Sequence, residues 1–333
     1  MKVEQPRRRW RFGVNRWLIL LFVVLNFLAA RSFAPVLPHI QLPAERLSHE
    51  PLFTLPLLGS IYLTNTLVAT LIADVILILI AQAVNRTIRR GELVPGGISG
   101  AIEAMLEAVN NLTESTAGKW ARSIFPFFAT ITLLVLVVNW MELIPGVDSI
   151  GILEPSDHGF PVQQVAPGVH TIVQAGDEEH AGGYALVPFV RVASTDLNFT
   201  VALALISVVM TQVFGVRALG AGYFSKFFNV KGLFTRPIFG VIDFAVGILE
   251  LISEISKLLS FSFRLFGNIF AGSVLLFVIG TLIPVFAQSM FLGLEFFVGV
   301  IQALVFGMLT MVFMAQATAG HGDHGGKHEE HAA

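Results

Sequence analysis

The stretch that decides the fold runs from residue 238 to residue 283 and reads IFGVIDFAVGILELISEISKLLSFSFRLFGNIFAGSVLLFVIGTLI. A second apolar stretch, residues 285–318, follows it after Pro284. At 1.5 Å per residue the first stretch would form a helix roughly 65–70 Å long, about twice the ~30 Å hydrocarbon core of a bilayer. The two stretches are therefore predicted to fold back on each other about Pro284 as a long antiparallel hairpin of membrane helices.

A helix of that length cannot stand upright in the bilayer. Either it tilts by roughly 60°, far beyond the average tilt of about 20°, or it breaks at a glycine. The glycines considered are Gly240, Gly247 and Gly267. A strong tilt requires support from other protein.

The composition of the whole chain also places it in a membrane. Of its 333 residues 54% are hydrophobic and 13% are charged, and the mean hydropathy is +0.74, far from the average of soluble proteins. The absence of cysteine excludes disulfides, thiolate metal sites and cysteine nucleophiles. All nine histidines lie outside the apolar stretches, which argues against a histidine proton relay within the bilayer.

Three further spans are predicted, at residues 61–84, 123–144 and 197–216. A shorter apolar run, residues 17–30, follows an arginine-rich flank and is either a membrane anchor or a secretory signal. The fold class is therefore an all-α integral membrane protein with five or six membrane helices. We expect three regions: an N-terminal anchor or signal with an external segment at 1–60, a membrane domain at 61–319, and a disordered His-rich tail at 320–333.

The distribution of basic residues predicts the orientation. Arginines follow the 61–84 span, and lysines and arginines follow the 197–216 span, which places both ends in the cytoplasm. Residues 92–122, with apolar residues at helical spacing, are predicted to lie along the cytoplasmic surface. No lysine or arginine occurs between Arg122 and Arg191, so the long loop 146–188 is predicted to be external.

Polar residues recur on one helical face of the 238–283 stretch, at spacings of four, three, seven and four. They are Glu250, Glu254, Lys257, Arg264 and Asn268. A charge in mid-membrane costs at least about 2.5–3.5 kcal/mol unless it has a partner or water. Glu254 and Lys257 are expected to neutralise each other, whereas Arg264 has no acid within one turn of its own helix and needs a partner from elsewhere.

Counting outward from Pro284 identifies which residues face each other in the hairpin. Ser273 lies 11 residues before the proline and Glu295 lies 11 after it, while Arg264 and Gln302 lie 20 before and 18 after. We therefore expect Gln302 to accept a hydrogen bond from Arg264 without cancelling its charge. Glu295, with no basic neighbour in sequence, is a candidate for proton uptake and release. The alternative is that these polar groups only hold helices together.

These residues also carry a resemblance. The run 260–272, SFSFRLFGNIFAG, closely resembles the signature of subunit a of rotary F-type ATP synthases. The segments NWMELIP at 139–145 and ASTDLN at 193–198 resemble patterns of the same family, in the same order. The resemblance covers residues from about Thr64 to Ala317.

The resemblance implies a non-catalytic, proton-translocating stator subunit that lies beside a ring of c subunits. Two offset half-channels would lead protons to and from the single carboxylate that each ring subunit carries. It implies b subunits of the peripheral stalk and the remaining ATP synthase subunits as partners, a bacterial plasma membrane location with a cytoplasmic C-terminal tail, and no cofactor or nucleic acid. No phosphate-binding loop of the G-x-x-x-x-G-K-[ST] type occurs in the sequence.

Roles carry over residue by residue. Arg264 resembles the family's essential arginine and Gln302 the glutamine that faces it, while Glu250 matches an acid of the cytoplasmic half-channel and Asn268 belongs to the external one. Many members carry glutamate where this chain has Ser273 and histidine where it has Glu295. The hairpin count indicates that the carboxylate has moved to the facing helix, which puts any histidine-dependent proton path in doubt.

Two other classes of function are weighed against this one. An ion-coupled secondary transporter would also have mid-membrane charges and glycine-interrupted helices, but it predicts a repeated half that the sequence does not show. A membrane scaffold without conduction would leave Arg264 without a reason.

Overall fold

The computed structural model describes residues 12–32, 43–48, 50–56, 59–89, 97–144, 147–156, 159–173, 183–227, 237–283 and 286–319. Seven α-helices are found within these ranges: α1 Phe12–Ser32, α2 Asn65–Arg89, α3 Gly97–Ala117, α4 Ala121–Met141, α5 Leu197–Leu219, α6 Pro237–Leu282 and α7 Phe286–Thr318. The predicted tail, 320–333, and the basic residues Lys231 and Arg236 lie outside the described residues.

Within the described part of the chain, five helical runs are long and apolar enough to cross a membrane. They are Asn65–Thr87, Gly100–Met141, Leu197–Leu219, Phe244–Leu282 and Ala287–Thr318. The prediction of an all-α integral membrane protein is thus confirmed. The choice between anchor and signal for α1 stays open, as do the predicted region boundaries at 60 and 319.

Helix α6 continues without a break over 46 residues. Of the two alternatives, a break at Gly240, Gly247 or Gly267 is therefore wrong. A glycine costs a helix only about 1 kcal/mol relative to alanine, whereas a break inside the hydrocarbon layer would leave backbone N–H and C=O groups without partners at several kcal/mol each. The tilt of α6 and the hairpin as a whole stay predictions.

Short strands occur in the segments predicted to be external. The strands are β1 Phe53–Leu55, β2 Gly59–Ile61, β3 Gly151–Ser156, β4 Val162–Ala166, β5 Val169–Ile172 and β6 Gly183–Pro188. They pair as β1 with β2, β3 with β6, and β4 with β5. The turn between β4 and β5 contains Gly168 at φ +78°, a left-handed conformation that glycine adopts without strain.

The chain divides into two compact units. The first comprises residues 1–40, 153–186 and 272–295, and the second comprises 41–152, 187–271 and 296–333. The core of the second unit is formed by small and branched side chains of α2, α4, α5, α6 and α7, including Ala69, Val135, Leu203, Leu265 and Ala303. On α6 this core contains Phe261, Leu265 and Ile269.

Helix α5 shows how local sequence sets an element's ends. Asp196 caps its first turn, because its carboxylate accepts a hydrogen bond from the backbone N–H of Asn198 at 2.9 Å. Gly220 ends the helix at φ +65°, where a residue with a Cβ would be strained. The predicted 197–216 span is therefore confirmed at its first residue and extends three residues further.

Candidate functional site

The polar face of α6 lies at the border between buried and exposed surface. The residues that form this face lie within an arc of about 80° at 100° per residue; they are Glu250, Glu254, Lys257, Arg264 and Asn268. Glu254, at one edge of the arc, is buried with 7% of its surface exposed, while Arg264, at the other edge, is exposed. Glu250 is half-buried and Asn268 is exposed.

The Arg264 guanidinium has a weak partner on its own helix. Its Nη2 donates to the Ser260 hydroxyl at 3.4 Å, which is long for a charge-assisted hydrogen bond. Among the residues described, no carboxylate forms an ion pair with Arg264. The cation is therefore held without being neutralised within this part of the chain.

Large apolar side chains lie exposed on the side of α6 that is opposite its polar face. Ile255, Leu259 and Phe263 are 54%, 47% and 55% exposed, and at 100° per residue they lie about 180°, 140° and 100° around the helix from Arg264. A surface of this kind faces lipid or another protein, because soluble proteins rarely leave so continuous an apolar patch in water. An exposed arginine on such a helix requires a carboxylate or water from outside the chain.

Glu295 lies on α7 and is buried, with 7% of its surface exposed. Its carboxylate occupies the space beside Gly272 on α6, where a Cβ would overlap it. Glycine at 272 thus makes room for the acid, and Ser273, the next residue, is half-buried. Counting outward from Pro284 in the sequence paired Glu295 with Ser273, which is one residue from its observed neighbour, Gly272.

Gln302 is half-buried on α7. The expected hydrogen bond between Gln302 and Arg264 is not present among the described residues, since the guanidinium donates to Ser260 instead. The pairing of Gln302 with Arg264 stays a prediction for the assembled state.

The pairing of Glu254 with Lys257 is confirmed. The Lys257 Nζ lies 2.7 Å from the Glu254 Oε1, and it also lies 4.8 Å from the centre of the Phe313 ring. Sequence reasoning missed two further members of this cluster, Gln212 on α5 and Tyr223 in the 3₁₀ turn that follows it. A glutamine inside an apolar span was the signal for the first of them.

A second group of buried polar residues joins α4, the 3₁₀ turn before α5 and α7, near the start of the loop that was predicted to be external. The Ser194 hydroxyl donates to the Asn139 Oδ1 at 2.7 Å, and the Asn139 Nδ2 donates to the Gly299 carbonyl at 3.2 Å. On the neighbouring α2, the Thr66 hydroxyl donates to the Asp196 carboxylate at 3.0 Å. The family resemblance pointed to Asn139, Ser194 and Asp196, but the contacts between them were not predicted.

Asp148 lies just beyond this group, in a 3₁₀ turn after α4. Burial raises the pKa of its carboxyl to about 6, and the nearby charge of Arg191 opposes that rise. One carboxylate oxygen, Oδ1, is buried and without a hydrogen-bond partner among the described residues. Sequence reasoning missed the burial of Asp148, because nothing local distinguishes it from the other acids of the loop.

Comparison with known proteins agrees with this geometry. The profile of the family described as ATP synthase A chain matches residues 66–315. The chain is similar to ATP synthase subunit a of Mycobacterium ulcerans (strain Agy99), 27% identical over 78% of this chain and 89% of the relative. Similar relatives are ATP synthase subunit a of Mycobacterium bovis (strain ATCC BAA-935 / AF2122/97), 28% identical over 80% of this chain and 92% of the relative, and that of Moorella thermoacetica (strain ATCC 39073 / JCM 9320), 27% identical over 79% and 95%. Because the profile spans most of the sequence, the chain belongs to the ATP synthase A chain family.

Proposed function

We propose that Arg264 is the fixed positive charge that each passing carboxylate of a c-subunit ring meets, and that this encounter couples proton flow to rotation. As a member of its family, the chain is a non-catalytic, proton-translocating subunit of an ATP synthase. It is a multi-pass protein of a bacterial membrane. The observation that carries the proposal is that Arg264 is exposed on a long apolar helix and forms no ion pair with an acid among the described residues. A secondary transporter is not favoured, because family membership assigns the chain to an ATP synthase.

The chemistry follows from the properties of the guanidinium. Arginine keeps its proton at any physiological pH, so Arg264 cannot itself carry protons along the path. Its charge favours the ionised form of a carboxylate that comes close. A ring carboxylate must therefore release its proton before it passes Arg264 and take up another one afterwards, which blocks a direct proton leak.

The two proton paths would lie on either side of Arg264. On the external path we place Asn268, Ser273 and Glu295, with the buried Glu295 as the acid that passes protons on. Support comes from the fit of its carboxylate beside Gly272. On the cytoplasmic path we place Glu250, which lies 14 positions before Arg264, about 21 Å along α6, and we place Gln302 beside Arg264 as its neutral neighbour.

The long helices provide the surface for the ring. Exposed apolar side chains on the 296–318 part of α7, such as Phe297 at 63% and Ile301 at 54%, form a surface of the same kind as the exposed apolar residues of α6. We propose that this surface faces the ring, that b subunits of the peripheral stalk hold the chain against rotation, and that the C-terminal tail is cytoplasmic. Labelling of a cysteine placed in the tail of this cysteine-free chain, in sealed vesicles of each orientation, tests the last point.

The test uses the assembled complex in membrane vesicles. Arg264→Ala is expected to abolish ATP synthesis driven by a proton gradient and to allow passive proton flux. Arg264→Lys should also fail to synthesise ATP, because it loses the planar fork of donors. Arg217→Lys, at an exposed arginine in the last turn of α5, is the matched control and should leave synthesis unchanged. Normal synthesis by either Arg264 variant contradicts the proposal.

A further inference from the structure

A chain of hydrogen bonds connects α5, the turn after it and α6. The Tyr223 hydroxyl donates to the Gln212 Oε1 at 2.8 Å, and the Gln212 Nε2 donates to the Glu254 Oε2 at 3.0 Å. The other carboxylate oxygen of Glu254 accepts from Lys257 at 2.7 Å. Each bond in this chain is within the ordinary range.

The direction of each bond in this chain is fixed. Burial, with help from the charges of Glu254 and Glu250, raises the pKa of Tyr223 to about 12, so the hydroxyl keeps its proton and donates it. The amide oxygen of Gln212 can only accept, and it faces the hydroxyl. The amide nitrogen must then face Glu254, where it finds a carboxylate that can only accept.

Packing also fixes the position of the tyrosine. Tyr223 is 3% exposed, and its ring lies against Gly215 of α5 so closely that a Cβ at Gly215 would overlap it. The ring also makes edge contacts with Phe224 and Phe227, at 6.2 and 5.9 Å between centroids. The hydroxyl is therefore presented to Gln212 from a rigid support.

The position of Glu254 on α6 determines where Arg264 points. The two residues are ten positions apart, which is about 15 Å along the helix and about 80° around it. While Glu254 is held inward on Gln212, Arg264 lies on the exposed side of α6. A rotation of α6 that released Glu254 would change the direction in which Arg264 points.

We propose that Gln212 and Tyr223 are positioning residues that set the rotation of α6 about its own axis and thereby aim Arg264 at the passing ring carboxylate. This inference rests on the function proposed above for Arg264. A purely stabilising role for the same bonds makes a different prediction. Removing them would then lower the amount of assembled chain, and synthesis and passive proton flux would fall together.

The test compares three quantities in vesicles that carry the assembled complex: the content of this chain, ATP synthesis, and passive proton flux after the catalytic sector is stripped off. Tyr223→Phe removes only the hydroxyl and keeps the ring on Gly215. We expect an unchanged content of this chain and an increased passive proton flux. ATP synthesis should be about fivefold slower, which corresponds to the loss of one hydrogen bond. Tyr184→Phe, at a 44% exposed tyrosine, is the control and should match the wild type in all three.

An exchange of the acid and the amide tests the direct contact. Gln212→Glu alone places two carboxylates together, and Glu254→Gln alone leaves Lys257 without its acid. In the double variant the amide introduced at position 254 accepts from Lys257 and donates to the carboxylate introduced at position 212. That carboxylate also accepts from Tyr223, so all three bonds re-form. Synthesis in the double variant should exceed that of both single variants.

Three results would overturn the inference. The first is that chain content, ATP synthesis and passive flux of Tyr223→Phe fall in proportion, and the second is that Tyr223→Phe behaves as the wild type. The third is that the Gln212→Glu, Glu254→Gln double variant synthesises ATP no faster than the better of the two single variants. Arg264→Ala, measured in the same vesicles, distinguishes a failure of this inference from a failure of the function proposed for Arg264. If Arg264→Ala does not leak, the role of Arg264 is wrong. If it leaks while Tyr223→Phe is normal, only the positioning role is wrong.

Discussion

Gly272→Ala is the substitution that tests the proposed external proton path most closely. The new Cβ would lie 2.6 Å from the Glu295 Cδ and 2.7 Å from its Oε2. The Glu295 Oε1 lies nearer still to the new Cβ, and ordinary contact starts at about 3.4 Å, so the carboxylate must move by at least about 0.8 Å. The atoms that move are the far end of a flexible side chain, so the helices themselves can stay in place.

The expected cost in stability is small. Overpacking costs about 1–3 kcal/mol, and alanine recovers up to about 1 kcal/mol of helix propensity over glycine. The expected cost in function is larger, because a misplacement of about 1 Å at a reacting group can cost roughly 100-fold in rate. We therefore expect normal content of the chain in the complex and a loss of ATP synthesis between about 10-fold and 100-fold.

The assay is ATP synthesis in vesicles energised by an imposed proton gradient, normalised to the amount of this chain. Gly293→Ala is the matched control, since it lies two residues from Glu295 on α7 and a Cβ there meets nothing within 4 Å. It should behave as the wild type. Full synthesis by Gly272→Ala would refute the role of Glu295, and a loss of assembled chain would refute the claim that only the side chain moves.

Three further predictions concern Glu295, Asp148 and Gly307. Glu295→Gln should slow proton uptake from outside, and adding Ser273→Glu should partly restore it; no rescue would mean that the two positions do not share one path. Asp148→Asn should stabilise the complex increasingly as the pH rises from 4 to 7. Burial raises the pKa of the Asp148 carboxyl from 3.8 to about 6, so its ionisation costs the folded protein up to about 3 kcal/mol, a cost that asparagine does not have. Equal heat resistance of variant and wild type at pH 8 would contradict this. Gly307→Ala should destabilise the chain by about 1–3 kcal/mol, because its Cβ would overlap the Thr132 hydroxyl in the core, and a complex that keeps its subunit on heating as the wild type does would disprove the overlap.

The spans could be predicted because a helix in lipid depends on local hydropathy. The spans predicted at 61–84, 123–144 and 197–216 end within about five residues of the ends of α2, α4 and α5, since lipid requires a continuous apolar stretch. The missing break in α6 shows the limit of glycine as a signal. In soluble proteins water satisfies the backbone groups that a break exposes, whereas a bilayer keeps even a glycine-containing helix continuous.

The strands in the loop predicted to be external were missed, although the hairpin of β4 and β5 carried a signal. Pro167 and Gly168 separate two short segments rich in valine, isoleucine and threonine, which is typical of a hairpin. The segments that became β3 and β6 are about 30 residues apart, so nothing local indicates that they pair.

The site could be predicted as far as a single helix or a simple count along two helices reaches. The pair of Glu254 and Lys257 follows from a spacing of three, and the count about Pro284 came within one residue of the contact between Glu295 and Gly272. The bond from Gln212 to Glu254 joins residues 42 positions apart on different helices. Its formation depends on how α5 packs against α6, which no local pattern encodes.

The most direct measurement is an electron cryo-microscopy map of the assembled complex that resolves side chains around Arg264. We expect the guanidinium at the interface with a ring of small subunits, within about 4 Å of a ring carboxylate or bridged to it by one water. A guanidinium that faces lipid, or that forms an ion pair with an acid of its own chain, would contradict the account.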